Sequence, residues 1–353
     1  MQRKHVATQT LPGGRGAAYG DVRVGPLLPI PAILREYGID PLGVLAHVGL
    51  DSRLFDDPEN RVSMEALGRM LDVCSRLTHC PHFGLLIGQR FDMGALGVLG
   101  ELMRNSPTLH DALRLAALYF DLQDRGAVSL TLDLGEGKSA LGYSLFAGRS
   151  LAADQILDGS IAIHYLLLRE LCGPTWKPAL VQLAHSRPAD LTPWQQFFRA
   201  RLQFDAPISA VVFDSRWLDR PIAGADPAKF AAIGKHIESA YPQHVLPFLA
   251  QVRRALHAMI FTGSASSANL ARLFNLHERT LRRRLNQEGV TVRGLVSEAR
   301  HELAHRLLHE TDLPISEIAA VLRYSDVTVF ARAFRRWSGS SPREWRAQRA
   351  PVR

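Results

Sequence analysis

Apolar residues recur at helical spacing over most of the chain and switch to strict alternation in one short stretch, and that switch sets out the elements. Near the C-terminus Leu270, Leu273 and Leu276 lead into Leu281 and Leu285. Later Ile315, Ile318, Ala319 and Leu322 lead into Phe330, Phe334 and Trp337. Both runs predict helix, short turn, second helix, so the motif occurs twice. Between them Leu295, Val296, Ala299, Leu303, Ala304, Leu307 and Leu308 trace one stripe over several turns, which predicts a linking helix.

Upstream, residues 29–38 read as a short helix stopped by Gly38. Met64, Leu67, Met70, Leu71, Cys74 and Leu77 form one helical stripe. Leu109, Ala112, Leu113, Ala116, Ala117 and Phe120 form another, with Ser106 and Pro107 expected as its N-cap and first residue. The period then becomes two. Val128, Leu130, Leu132 and Leu134 alternate with other residues, as do Leu141, Tyr143 and Leu145, and the Gly-Glu-Gly-Lys turn at 135–138 makes the pair a β-hairpin. A helix over 156–171, a strand over 179–184, a helix over 194–201 and a strand over 208–213 follow. The expected fold is an α+β N-terminal domain with a small β-sheet, then an all-α C-terminal domain with two helix-turn-helix units. The expected divisions are a flexible arm (1–21), the α+β domain (22–220), a linker (221–242) and the helical domain (243–353). Pro221, Gly224 and Pro227 mark the linker, and a helix over 230–241 is broken by Pro242. A helix over 243–261 then opens the last domain, and residues 262–267 cap the next one.

Charge separates the two domains further. Of 353 residues, 46% are hydrophobic, enough for at least two cores. Residues 251–353 hold 18 Arg, no Lys and 9 acidic residues, a local +9, whereas residues 1–250 hold 24 basic against 25 acidic. A polyanion partner for the last third alone explains that asymmetry. Burying Leu281 and Leu285 turns Arg279, Arg282, Arg283 and Asn286 outward. Burying Phe330, Phe334 and Trp337 turns Val327, Thr328, Ala331, Arg332 and Arg335 outward. Arginine pairs bidentately with guanine, Val327 and Thr328 suit thymine methyls, Arg332 suits a base edge or phosphate, and Arg335 and Arg336 suit the DNA backbone. If the linking helix holds the two second helices about 34 Å apart, both enter successive major grooves of one duplex.

Residues 251–346 resemble the DNA-binding domain of the AraC family of bacterial transcription regulators. The resemblance rests on the Leu-Arg-Arg-Arg-Leu run at 281–285 followed by Gly289, on Arg300, Ala304, Leu307 and Leu308, and on Ile318 and Ala319. It continues through Tyr324, Ser325 and Asp326, the run 330–337, Gly339 and Pro342. It implies base reading at Arg279, Arg282 and Arg283 in the first unit and at Val327, Thr328 and Arg332 in the second. One position departs from the family, which usually has glycine where Arg323 stands. If that backbone is left-handed, a non-glycine residue costs about 1 kcal/mol or somewhat more, and Arg323 adds a phosphate contact. Residues 22–220 are more distantly similar to the α+β sensing domain of the branch that includes ornithine-responsive and virulence regulators, and not to the cupin barrel of the arabinose sensor. That similarity rests on Phe197, Phe198, Leu202, Gln203, Phe204 and the segment 217–222. It implies an effector-binding or dimerising role and gives neither the effector nor its pocket residues; with the C-terminal resemblance it makes promoter DNA, a small-molecule effector and RNA polymerase the expected partners and leaves a homodimer open.

Other apparent chemistry does not hold. Gly137, Lys138 and Ser139 sit at a hairpin tip, not in a phosphate loop, and Gly94, Gly97 and Gly100 lack the strand and spacing of a dinucleotide site. His79, Cys80 and His82 read as loop residues rather than metal ligands. His301, His305 and His309 share one face of the linking helix and read as a solvated or phosphate-facing stripe. No cofactor is expected, and no nucleophile, base and oxyanion set points to an enzyme. Three cysteines outside any Cys-x-x-Cys pair, no signal-like leader and no run of about 18 apolar residues indicate a cytoplasmic protein. The expectation is a sequence-specific regulator, more an activator than a repressor. Its rivals are a DNA-architectural protein without effector and an enzyme carrying a DNA-binding tail.

Overall fold

In the computed structural model the described residues are 20–145, 151–206, 208–240, 248–261, 265–274, 276–310 and 314–347. The chain opens with β1 (Asp21–Arg23), α1 (Ile30–Glu36) and α2 (Pro41–His47), followed by β2 (Arg61–Ser63), which pairs antiparallel with β1. Next come α3 (Met64–Leu77), α4 (Phe83–Gln89), α5 (Val98–Arg104) and α6 (Leu109–Leu118). The hairpin is β3 (Ala127–Gly135) and β4 (Lys138–Leu145), followed by α7 (Ala153–Cys172), β5 (Leu180–Gln182), α8 (Thr192–Phe198), β6 (Leu202–Gln203) and β7 (Ser209–Asp214). Then α9 (Pro227–Ala240) leads to the C-terminal helices α10 (Phe248–Phe261), α11 (Ser267–Leu273), α12 (Glu278–Gln287), α13 (Val292–Glu310), α14 (Ile315–Val321), α15 (Val327–Ser338) and α16 (Pro342–Ala347). All but the last two residues of the expected arm, the breaker Pro242 and the start of the helix expected from 243 lie outside the described residues.

Local chemistry sets most of the helix starts. The Asp40 carboxylate accepts from the N–H groups of Leu42 and Gly43 ahead of Pro41, and Ser63 Oγ accepts from Ala66 N at 3.2 Å. The start of α6 corrects the sequence expectation. Thr108 is its N-cap, accepting from Asp111 N, while Ser106 is fully buried and donates to Leu102 O in the last turn of α5. The short α2, α4 and α5 give too few turns for a periodic signal, which is why apolar spacing misses them.

The sheet runs in the order β3-β4-β7-β5-β6, antiparallel except for β5 and β6, and it is open rather than closed into a barrel. Its strands alternate so that both faces are buried. Leu141, Tyr143, Val211 and Phe213 face the N-terminal helices, whereas Val128, Leu130, Leu132, Ala140, Ala210 and Val212 join the core of the C-terminal helices. The helix that meets this second face is α10, which touches β3 and packs on α13, with Val252, Ala255, Leu256 and Met259 buried in the shared core. Arg272 on α11 reaches Asp133 at 2.9 Å across the same boundary. Both partners are more than half exposed, so apolar burial and not this pair holds the junction. Ile237 of α9 is buried in the N-terminal core, and α9 lies on α5.

Two close approaches shape the N-terminal core. Helices α4 and α7 touch backbone to backbone, and a Cβ at Gly84 would come within 1.9 Å of Gln155 O, so only glycine fits. Deeper along α7, the carboxylate of Asp158, 1% exposed, accepts from Trp194 Nε1 at 3.0 Å and lies 2.9 Å from His185 Nε2. Burial opposes charging of His185, but the Asp158 carboxylate outweighs it and raises the His185 pKa. Truncating a buried, charged hydrogen-bond hub strands its partners, so Asp158→Ala is expected to lower stability by about 3–5 kcal/mol. Urea denaturation of the two proteins measures it, and a loss well below 1 kcal/mol would remove Asp158 as a structural anchor.

Candidate nucleic-acid interface and sensor cavity

The C-terminal helices bury their apolar stripes as the sequence implies. Leu281, Leu285, Phe330 and Phe334 are at most 1% exposed, and Trp337 is half-buried. The opposite faces carry the predicted contact residues. Arg279, Arg282, Arg283 and Asn286 on α12, Arg323 in the turn before α15, and Val327, Thr328, Arg332, Arg335 and Arg336 on α15 are all exposed. The two units share one core, since Leu295, Ala299, Leu303, Ala304, Leu307 and Leu308 of α13 are buried between them. A groove between the units is lined by Arg282 and Asn286 of α12, Arg293 and Arg300 of α13 and Arg336 of α15. Arg293 and Arg300 were not among the sequence candidates. Their i, i+7 spacing on the linking helix is the signal that marks one shared face.

The turns of the two units close alike. After α14, Arg323 N–H bonds Ala320 O at 3.0 Å and Tyr324 N–H bonds Ala319 O at 2.9 Å, the paired bonds of a Schellman ending. In the first unit Leu276 N–H bonds Ala271 O at 2.8 Å in the equivalent way. Arg323 has φ of +59°, so the left-handed backbone expected there is present without glycine. The following helix starts firmly, because Asp326 accepts from Val329 N at 2.9 Å. That bond, chiefly, holds the Asp326 carboxyl below the usual carboxylate range. The start of α12 has no such side-chain bond at His277.

His301 and His305 require a correction. They do not form a solvated stripe but sit half-buried among aromatic rings. His301 is 5.2 Å from Trp337, and His305 is 5.0 Å from Phe334 and 4.3 Å from Trp345. Burial lowers both pKa values, which favours neutral rings inside the helical core. The side chain of His309 lies outside the described residues.

A second candidate site lies inside the N-terminal domain. A cavity of about 120 Å³ sits between the helices and the inner face of β3 and β4. Its walls are almost wholly apolar, with contributions from α3, α5, α6 and α7, and one corner is polar. There Tyr143 Oη donates to Asp124 Oδ2 at 2.7 Å, Gly126 N–H donates to Asp124 Oδ1 at 2.7 Å, and Ser129 Oγ lies 3.1 Å from His164 Nε2. Ser129 and Tyr143 are directly opposite in the hairpin, which is why they meet on one face. Burial pushes the Tyr143 hydroxyl up, and the Asp124 carboxylate adds to this, so it stays a donor. Burial also pushes His164 down to about 4, against a weaker opposing pull from the Leu141 backbone. His164 Nδ1 finds no partner at hydrogen-bonding geometry among the described residues. No sequence pattern singled out these residues, because an acid, a serine and a histidine 35 residues apart share no period.

Thiol chemistry is absent from both sites. Cys74, Cys80 and Cys172 are free, and burial holds Cys74 and Cys172 up at about 12, far from thiolate formation at neutral pH. Among the described residues no group of three His, Cys, Asp or Glu side chains is placed to hold a metal, and no helix is long and apolar enough to cross a membrane.

Two of these features have measurable consequences. Relieving the left-handed strain with Arg323→Gly is expected to stabilise the C-terminal helices by about 1 kcal/mol, seen as a rise of a few degrees in their thermal midpoint. An unchanged or lower midpoint would mean that the arginine side chain offsets the strain. For His164, the unfolded chain takes up a proton near pH 6.5 while the folded chain resists until about pH 4, so folding stability is complete above 6.5 and declines toward 4. The lost share is roughly 3 kcal/mol by pH 4. His164→Gln should flatten that decline in denaturation curves taken from pH 7 to 4, and identical slopes would exclude a buried neutral His164.

Comparison with known proteins places this geometry. A model described as the arabinose-binding domain of AraC transcription regulator, N-terminal, matches residues 38–222, and a helix-turn-helix domain model matches residues 270–348. The HTH-type transcriptional regulator VirS of Mycobacterium tuberculosis is 27% identical over 317 residues, covering 89% of this chain and 93% of the relative. The ornithine utilization regulator of Pseudomonas aeruginosa is 28% identical over the same shares. The crystal structure of the transcriptional regulator CdpR from Pseudomonas aeruginosa aligns over 92% of this chain and 98% of its own, with 23% identity and a TM-score of 0.49. With a sensing-domain model spanning more than half of the chain and a helix-turn-helix model over the exposed arginine helices, the chain belongs to the AraC family of bacterial transcription regulators.

Proposed function

We propose that the chain is a cytoplasmic, sequence-specific transcription activator in which a small molecule held by residues 22–220 controls how residues 243–353 meet promoter DNA. The observation that carries the DNA-reading part is the pair of exposed, arginine-bearing helices α12 and α15, anchored by buried leucines and phenylalanines to one core around α13. In this reading Arg279, Arg282 and Arg283 contact base edges in one major groove, and Val327, Thr328 and Arg332 in the next. Asn286, Arg323, Arg335 and Arg336 grip phosphate and fix the register.

The control part is supported by the two-sided sheet. Leu141 and Tyr143 line the sensor cavity from β4, while neighbouring Ala140 belongs to the core shared with the C-terminal helices, and α10 touches β3, the hairpin partner of β4. A ligand that shifts β4 therefore shifts the surface on which the first C-terminal helix rests. Two packed faces of one strand cannot move independently, which is the physical basis for coupling. Contact with RNA polymerase, and a homodimer on paired half-sites, complete the proposal as its consequences for activation. The enzyme alternative has weaker support: Ser129 and His164 meet in the cavity, but the Asp124 carboxylate there bonds Tyr143 and Gly126 instead of orienting His164, so among the described residues the nucleophile and base lack the third group that a catalytic set needs.

The base-reading role is tested by Arg282→Ala in a quantitative binding assay against operator variants. The expected loss is about 1–3 kcal/mol at one base position, with relaxed preference there. An equal loss on every sequence, with the salt dependence reduced by about one contact, would assign Arg282 to phosphate and remove it from the reading set.

A further inference from the structure

A buried cavity selects its occupant through the groups on its wall that remain unpaired, because every polar group of a ligand that finds no partner there loses its water without compensation. The sensor cavity offers few such groups. Most of its wall is aliphatic or aromatic, from residues such as Leu67, Leu71, Leu99, Leu113, Phe120 and Ile163. Its polar residues are largely occupied. Asp124 takes the Tyr143 hydroxyl and the Gly126 amide, Gln123 donates to Leu96 O at 2.9 Å, and Gln155 bridges Gly84 N and Pro81 O. His164 Nδ1 is the buried side-chain polar atom of the wall that stays unpartnered among the described residues.

Charge is equally telling. Among the described residues no arginine or lysine lines the cavity. Arg23 and Arg61, at the β1–β2 end of the domain, are taken up by Glu59, Asp21 and backbone carbonyls. A free amino acid would bury a carboxylate with no cation to meet it, and a sugar would bury several hydroxyls against leucine side chains. In scale, a cavity of about 150 Å³ lined by aliphatic and aromatic side chains accommodates benzene, and this one is of the same order.

We infer that the sensor cavity takes an uncharged, mainly apolar molecule about the size of one aromatic ring or a short branched chain, with a single hydrogen-bonding end at His164 and the Asp124–Tyr143 pair. The inference rests on the sensor role proposed above and specifies its ligand class. It separates this chain from the sugar in the name of the matching domain model and from the amino acid in the name of the ornithine utilization regulator.

The test is calorimetric titration of the full chain with benzyl alcohol, indole, L-arabinose and L-ornithine, repeated on Ala116→Met and Ile163→Phe. Both substitutions add volume at the cavity wall from different helices, so failure of one to fold leaves the other. Benzyl alcohol or indole is expected to bind the native protein, with the Kd weakened at least tenfold in a folded variant, and arabinose and ornithine are expected not to bind. Arabinose or ornithine binding that the same substitutions weaken would overturn the ligand class and leave the sensor role standing. Apolar probes bound equally well by the filled variants would place their site elsewhere and overturn the inference. Binding by none of the four would overturn it as well. A promoter-binding assay with a deproteinised small-molecule cell extract then separates the two failures, since an extract without effect on DNA affinity also removes the sensor role.

Discussion

The arrangement depends on one hairpin being buried on both faces. Strands β3 and β4 have no solvated side along most of their length. Tyr143 and Leu141 close the sensor cavity, and Val128, Leu130, Leu132 and Ala140 join the core of the C-terminal helices, with α10 touching β3. An antiparallel sheet with one wet face could hold either domain alone. Burying the second face makes the sheet a shared wall, and its register becomes common to both cores. A slip of one residue would exchange the two sets of side chains and spoil both at once.

From this wall the mechanics run outward in two directions. Inward lies a small set of neutral polar groups, with His164 held uncharged by burial and Tyr143 kept protonated beside Asp124. Outward, α10 bears on α13, and α13 spaces the two arginine-bearing helices. Apolar packing transmits displacement because it tolerates neither voids nor overlap. The surface pair Arg272–Asp133 marks the same junction but is too exposed to hold it.

The helical half shows how tightly packing can override local preference. Arg323 keeps a left-handed backbone that glycine would adopt without cost, and the paired bonds to Ala319 and Ala320 oblige it to. His301 and His305 likewise leave the solvent that their polarity would suggest. Trp337, Phe334 and Trp345 surround them on the far side of α13, a contact made by residues more than 28 positions away in the chain.

By itself the sequence determined the C-terminal architecture and which arginine-bearing faces of its helices are exposed. A period of 3.6 with arginine on the complement specifies both the buried and the exposed face of α12 and α15, and capping side chains at Ser266 and Asp326 fix where α11 and α15 begin. It also determined the hairpin, through alternation and the glycine turn. Only the tertiary structure decided which way each stripe of that hairpin points. Val128, Leu130 and Leu132 face one core and Leu141 and Tyr143 the other, because alternation says that neighbours diverge and not what lies on either side. The sensor cavity was decided there as well. Its polar corner joins Asp124, Ser129, Tyr143 and His164 from a loop, two strands and a helix, and long-range packing alone brings such residues together.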